Sequence, residues 1–147
     1  MSQRHLVRAA VYLILEQDNK ILCIRRYNTG YRDGEYTLPA GHVEPNETFI
    51  QTAIREAKEE VCVDIAAEDL RLVHVMQRHE AGVDVVDYYF HITRWAGEPQ
   101  IGEPHKADKL AWLGRDELEG KAIHFVGKAI KHVDASILFS HDGLPIA

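Results

Sequence analysis

Cysteine, proline and methionine are scarce in this 147-residue chain, at two, five and two residues respectively. Cys23 and Cys62 are far apart in sequence, in no Cys-x-x-Cys spacing, and no His-x-x-x-His pair accompanies them. Neither a disulfide framework nor a zinc site is signalled. Both cysteines read as small buried hydrophobes in a reducing compartment. Positive charge is also short: 17 Lys+Arg face 23 Asp+Glu, a net charge of −6. That balance excludes the broad basic field of a nucleic-acid polymer binder. No segment approaches the roughly 18 apolar residues of a membrane span, and Met1 to Arg8 carries charge instead of an apolar secretory core. The expectation is a cytoplasmic protein with no membrane partner, folded as one domain over residues 1–147, since no linker-like stretch divides it. The nine histidines are scattered singly.

Periodicity supplies the elements. Leu6 to Glu16 and Lys20 to Tyr27, separated by Gln17-Asp18-Asn19, are β-branched and aliphatic and predict a hairpin. Tyr27 to Glu35 has turn chemistry and predicts a long loop of the kind that often carries function. A short extended stretch, Tyr36 to Gly41, follows. From Glu47 to Val61 the apolar residues recur at spacings of three and four, predicting a helix with Asn46 as its N-cap. Leu70 to His79 and Val83 to Trp95 predict a second hairpin, Gly97 to Asp108 a second loop, Lys109 to Leu113 a short strand, and Ala122 to Val133 a closing helix. Strands and single helices in this order predict an α/β class, a mixed β-sheet covered by helices.

The first helix carries a conflict. At about 100° per residue from Ala53, Glu60 falls near −20° and Glu56 near −60°, beside the apolar arc, whereas Glu59 falls near −120°. Two carboxylates one turn apart repel each other, and burying them uncompensated is costly. A hard divalent cation, Mg²⁺ with Mn²⁺ as the alternative, resolves this by accepting carboxylate oxygens while keeping positions for water and phosphate. The plainer alternative, a surface helix on which Arg55 pairs with Glu59, explains Glu59 but leaves Glu56 and Glu60 on the wrong side.

Gly41, five residues, Glu47, seven residues, then Arg55-Glu56-Ala57-Lys58-Glu59-Glu60-Val61-Cys62-Val63 resembles the Nudix box, G-x5-E-x7-R-E-U-x-E-E-x-G-U with U aliphatic. The stretch Gly41 to Val63, approached by Leu38-Pro39-Ala40, is similar to that of the MutT-like branch of the Nudix hydrolase family. Two positions depart from it: Cys62 stands where the family usually has Gly, so the helix exit should be strained or turned differently, and Ala57 is small for an aliphatic slot.

The resemblance implies the Nudix fold, an α/β/α sandwich with a mixed sheet between helices. It implies Mg²⁺-dependent cleavage of a nucleoside triphosphate, a modified or oxidised purine nucleotide among the candidates, to a monophosphate and pyrophosphate. Glu56, Glu59 and Glu60 match the metal ligands, with the Ala40 carbonyl as a further one. Glu56 is the implied general base, and Gly41, Glu47 and Arg55 hold the loop and helix in register. Glu103, after Trp95-Ala96-Gly97-Glu98-Pro99, resembles an additional catalytic or metal carboxylate. Of Arg25 and Arg26, strand alternation points one toward the phosphates. Asp108 is a candidate reader of the base edge. Arg78, His79, Glu80 and Ala81 match neither the Pro of ADP-ribose hydrolases nor the Tyr of dinucleoside polyphosphate hydrolases. Another nucleoside diphosphate-X, such as a nucleotide sugar, and a non-catalytic nucleotide-binding domain stay open as alternatives. The expected partner is a small nucleotide and the expected state a monomer or homodimer.

Overall fold

Strand β1 (Arg8–Gln17) is apolar without alternation because both of its faces are buried. Ala10, Tyr12 and Ile14 enter one hydrophobic cluster and Val11, Leu13 and Leu15 the other. The computed structural model describes residues 3–144; Met1, Ser2 and residues 145–147 of the expected domain lie outside the described residues. On one side β1 runs parallel to β6 (Val83–Ile92), in register from Arg8↔Val85 to Leu15↔Ile92. Strand β6 forms an antiparallel hairpin with β5 (Arg71–Glu80), and β8 (Phe139–Asp142) lies parallel to β5 at the sheet edge. On the other side lie β2 (Lys20–Arg26), β3 (Tyr36–Thr37), β4 (Ala40–His42) and β7 (Ala107–Leu113), giving a mixed sheet of eight strands.

Helices cover both faces. Ala53, Ala57 and Val61 of α1 (Phe49–Val61) pack on Val11, Leu13 and Leu15. Phe125, Val126, Ala129 and Ile130 of α3 (His124–Asp134) pack on Ala10, Tyr12 and Ile14. The sandwich expected from the element order is the one observed. A short helix α2 (Arg115–Lys121), broken at Gly120 with φ 95°, joins β7 to α3. Among the described residues no helix is long and apolar enough to cross a membrane.

The first hairpin differs from expectation in a way that makes the site. Strands β1 and β2 pair only at Glu16↔Ile21 and Gln17↔Lys20, beside their turn. Beyond that they part, and residues 36–42 enter between them. Tyr36 and Thr37 pair with Arg25 and Ile24 of β2, Ala40 to His42 pair with β1, and the Leu13 N–H donates to the Pro39 carbonyl at 2.9 Å.

Helix α1 also starts later than expected. Asn46 takes a left-handed φ of 64° in the preceding turn, and Thr48 is the N-cap. The Thr48 hydroxyl accepts from the Gln51 N–H at 3.1 Å while Gln51 Oε1 accepts from the Thr48 N–H at 2.8 Å, a capping box. At the exit Cys62 does adopt the left-handed conformation, φ 61° and ψ 30°. Its N–H reaches the Lys58 carbonyl at 3.2 Å, the bond of a left-handed cap built without glycine, and the Val63 N–H reaches the Ala57 carbonyl at 3.4 Å.

Candidate active site

The helical spacing of α1 turns Glu56 inward, where it is 7% exposed, and leaves Glu59 in solvent. Arg55 gathers the charges around them. Its guanidinium donates to Glu47 at 2.8 Å, Glu56 at 2.7 Å, Glu59 at 3.2 Å and the His42 carbonyl at 3.2 Å. Glu47 in turn accepts from the Thr52 hydroxyl at 2.6 Å and the Glu44 N–H at 3.1 Å, and the Arg55 contact pulls its carboxyl down to about 2. One guanidinium thus ties the loop before the helix to the helix itself.

Backbone geometry fixes the other side. The hydrogen-bonded pairs between β1 and β4 fall at Ala9/Val43, Val11/Gly41 and Leu13/Pro39, so Ala40, opposite Tyr12, turns its N–H and carbonyl away from β1. That N–H donates to Glu60 at 2.9 Å. The Ala40 carbonyl faces the same way and is available as a ligand. At Gly41, a Cβ would meet Glu56 Oε1 at 2.0 Å, so only glycine leaves room for this carboxylate against the strand.

Glu103 arrives by a route the sequence motif does not contain. The loop after β6 closes over the C-terminal end of α1, Gln100 N–H donating to the Val61 carbonyl at 3.0 Å and Gly102 N–H to the Glu60 carbonyl at 2.9 Å. These bonds satisfy carbonyls the helix leaves unpaired. A Cβ at Gly102 would meet the Glu59 carbonyl oxygen at 2.0 Å, so the approach is backbone on backbone and requires glycine. The next residue, Glu103, faces Glu60 across a cavity of about 520 Å³ between the parted strands.

Ala40, Glu60 and Glu103 form the charged end of that cavity, and Tyr12, Leu38, Ile123 and Phe125 form its apolar wall. Arg26 reaches it, held by the Tyr31 carbonyl at 2.6 Å and the Thr29 hydroxyl at 3.0 Å. Arg25 and Asp108 do not line it. They bind each other in a two-bonded pair at 2.9 and 2.8 Å across β2 and β7, so each already has its counter-charge. The sequence reading missed Tyr12 and Phe125, which look like ordinary core residues in apolar runs, and Gly102, for which the only signal was a glycine beside a candidate acid. A larger groove of about 790 Å³ between α2 and α3 holds none of the α1 carboxylates.

The donor set fits a hard divalent cation. Burial raises the carboxyls of Glu56 and Glu60 above the usual range; Glu59 and Glu103 raise Glu56 further against the opposing pull of Arg55, and Glu56 and Glu103 raise Glu60. Against Glu56 and Glu60 stand one guanidinium, shared among several carboxylates, and the neutral Ala40 N–H. Among the described residues no three acid, His or Cys side chains already converge on one metal-sized position. Glu56 and Glu59 both accept from Arg55. Glu56, Glu59, Glu60 and the Ala40 carbonyl offer only oxygen donors, which suits Mg²⁺ or Mn²⁺.

A family model described as the NUDIX domain matches residues 4–133. The chain is 34% identical over 97 residues to the ADP-ribose pyrophosphatase of Methanocaldococcus jannaschii, covering 66% of this chain and 57% of that protein. It is 26% identical over 113 residues to the 8-oxo-dGTP diphosphatase of Escherichia coli, covering 76% of this chain and 86% of that one. Among solved structures, the MutT NUDIX hydrolase from Burkholderia pseudomallei superposes with a TM-score of 0.79 at 25% identity, over 86% of this chain and 98% of that one. The match thus spans little more than half of the archaeal relative and most of the bacterial ones.

Proposed function

The chain belongs to the NUDIX family, and from that premise we propose that it hydrolyses a phosphoric anhydride in a small nucleotide, with nucleoside triphosphates as the starting substrate class. The observation that carries this reading is the meeting of Glu60 and Glu103 with an apolar aromatic wall in one cavity. An anhydride placed at the charged end leaves the base against Tyr12 and Phe125.

Glu56, Glu59, Glu60 and the Ala40 carbonyl would hold the divalent cation. When bound, it neutralises phosphate charge and makes water a better nucleophile. Glu56, its carboxyl raised by burial, is suited to take the proton of the attacking water. Arg55 keeps Glu56 pointed at the site and Glu47 keeps Arg55 in place. Arg26 presents a cation to the phosphates. Water adds to one phosphorus, the bridging P–O bond breaks, and the leaving phosphate keeps the bridging oxygen.

Purified protein with Mg²⁺ is expected to release a nucleoside monophosphate from members of a panel containing CTP, 8-oxo-dGTP, ADP-ribose and a dinucleoside tetraphosphate. Glu60→Gln keeps an acceptor for the Ala40 N–H but removes the charge, and is expected to lower turnover by about 10²-fold or more while the fold persists. Undiminished turnover in that variant would refute the ligand assignment. An inert wild type on the whole panel would refute the hydrolase reading.

A further inference from the structure

Arg26, the last residue of β2, reaches the cavity without a carboxylate of its own. Arg25, Arg32 and Arg78 form ion pairs with Asp108, Glu80 and Asp87, whereas Arg26 forms none among the described residues. Its donors go to neutral oxygens, the Tyr31 carbonyl at 2.6 Å and the Thr29 hydroxyl at 3.0 Å. A guanidinium held this way keeps its charge for an incoming anion. It stays aimed only while the loop that supplies those oxygens keeps its shape.

Contacts of two kinds shape that loop. Within it, Asp33 accepts from the Thr29 N–H at 3.1 Å, the Gly30 N–H at 2.9 Å and the Thr29 hydroxyl at 2.5 Å, closing residues 29–33 on themselves. Arg32 takes a left-handed φ of 50°, which is costly for a residue with a Cβ and persists where other contacts hold it. Those contacts converge on Glu80, at the end of β5. Its carboxylate accepts from the Tyr31 hydroxyl, from Arg32 at 2.6 Å and from Arg78 at 3.0 Å. Burial by itself raises the Glu80 carboxyl, but the bonds from Tyr31 and Arg32 outweigh it and hold the group below the usual range, so the anchor is charged.

Tyr31 joins this anchor to the site. Its hydroxyl binds Glu80, its ring centre lies 5.1 Å from the Arg26 guanidinium, and its carbonyl accepts from Arg26 Nε. Glu80 itself does not line the cavity in which Glu60 and Glu103 meet.

We propose that Glu80 is a positioning residue for the hydrolysis: by anchoring Tyr31 it aims the Arg26 guanidinium at the phosphates, without touching the substrate. This rests on the hydrolase reading above. An arginine that engages a phosphate gives up rotamer freedom, and one already held by its loop has given it up beforehand, which tightens binding by about two- to tenfold. The phosphates are anionic in the bound substrate and in the transition state alike. Loss of aim therefore removes binding common to both and appears in KM, while kcat stays with the α1 carboxylates.

The test measures kcat and KM at fixed Mg²⁺ for the nucleotide of the panel above that the wild type turns over best, in Tyr31→Phe, Glu80→Ala, Arg26→Ala and the two double variants that include Arg26→Ala. Tyr31→Phe keeps the ring and carbonyl and removes only the hydroxyl. In Glu80→Ala, Arg78 keeps Asp87 at 2.7 Å and Arg32 keeps Glu35 at 3.6 Å, so neither cation is stranded. Tyr31→Phe and Glu80→Ala are each expected to raise KM by about three- to tenfold with kcat within about twofold of wild type, and neither should raise KM further once Arg26 is replaced. If Glu80→Ala does not fold, Tyr31→Phe carries the same comparison. An unchanged KM, a fall in kcat in its place, or effects that persist undiminished beside Arg26→Ala would show a merely structural contact and overturn the proposal, leaving the hydrolase reading standing. Inactivity of the wild type on the whole panel overturns both.

Discussion

Gly41→Ala isolates how tightly the strand holds the carboxylate of Glu56. The added Cβ would lie 2.0 Å from Glu56 Oε1, 2.2 Å from Cδ and 2.7 Å from Cγ. Carbon atoms rest at about 3.5 Å or more, so Cδ must retreat by about 1.3 Å. Swinging the carboxylate end alone does not relieve the overlap, because Cγ is also too close. Glu56 must change rotamer and leave its 2.7 Å bond with Arg55. Gly41 does not have a positive φ, so alanine suits its backbone and the whole effect is steric. The stability cost should be that of modest overpacking, about 1–3 kcal/mol. A catalytic group displaced by about 1 Å costs on the order of 10²-fold in rate. Initial rates at saturating nucleotide across a Mg²⁺ titration, with urea melts on the same preparations, should show kcat lowered by that factor in a folded protein. In a Glu56→Gln background the same glycine change should add little, since the two changes act on one group. A folded Gly41→Ala protein with wild-type kcat and metal dependence would refute the reasoning.

Gly102→Ala meets backbone, the Glu59 carbonyl at 2.0 Å, so the loop must lift and lose its cap on α1; a loss of about 1–3 kcal/mol in urea melts, with kcat falling as far as in Glu103→Ala, is expected, and equal stability would count against the close approach. Cys62→Gly should stabilise by up to about 1 kcal/mol in thermal melts, because a left-handed φ of 61° is costly for any residue with a Cβ, and a lower Tm would contradict that account. Glu16 accepts from Arg115 at 2.6 Å and from His91 at 2.9 Å, and the Arg115 contact above all holds its carboxyl below the usual range. A depressed carboxyl contributes stability above its unfolded pKa and loses it as pH falls through the folded one. The stability difference between wild type and Glu16→Gln, about 1 kcal/mol at pH 7 after solvent screening, should therefore hold above about pH 5 and shrink below about pH 4.

Much of the fold was legible because its signals are local. The long strands announced themselves by β-branched runs, and α1 by a spacing that also put Glu56 and Glu60 beside the apolar arc. Helix α2 was not legible, since Arg115 to Lys121 contains a single apolar residue, Leu118, and a glycine that breaks it. Strand β8 is only four residues long and takes its register from β5. The cap moved from Asn46 to Thr48 because the reciprocal bond with Gln51 outcompetes a lone side chain whose backbone is needed in a turn. At the site, the glutamates and Arg55 could be placed by spacing, but the aromatic wall could not. Tyr12 and Phe125 become its lining only because β1 and β2 part, a tertiary event with no periodic trace. The pairing of Arg25 with Asp108 is likewise set by the juxtaposition of β2 and β7.

The wedge between β1 and β2 also determines where the chain can change length. The loop from Tyr27 to Glu35 is bounded by strand pairings at both ends, Arg26 with Ala107 before it and Tyr36 with Arg25 after it, so added or lost residues there are absorbed at the surface. Between Thr37 and Gly41 no such slack exists. Removing one residue there would change the parity of β4 against β1, turning the Ala40 amide into the ladder and a side chain toward Glu56. Insertions and deletions accumulating among descendants of this chain should therefore retune what the cavity accepts while leaving the hydrolytic centre in one frame.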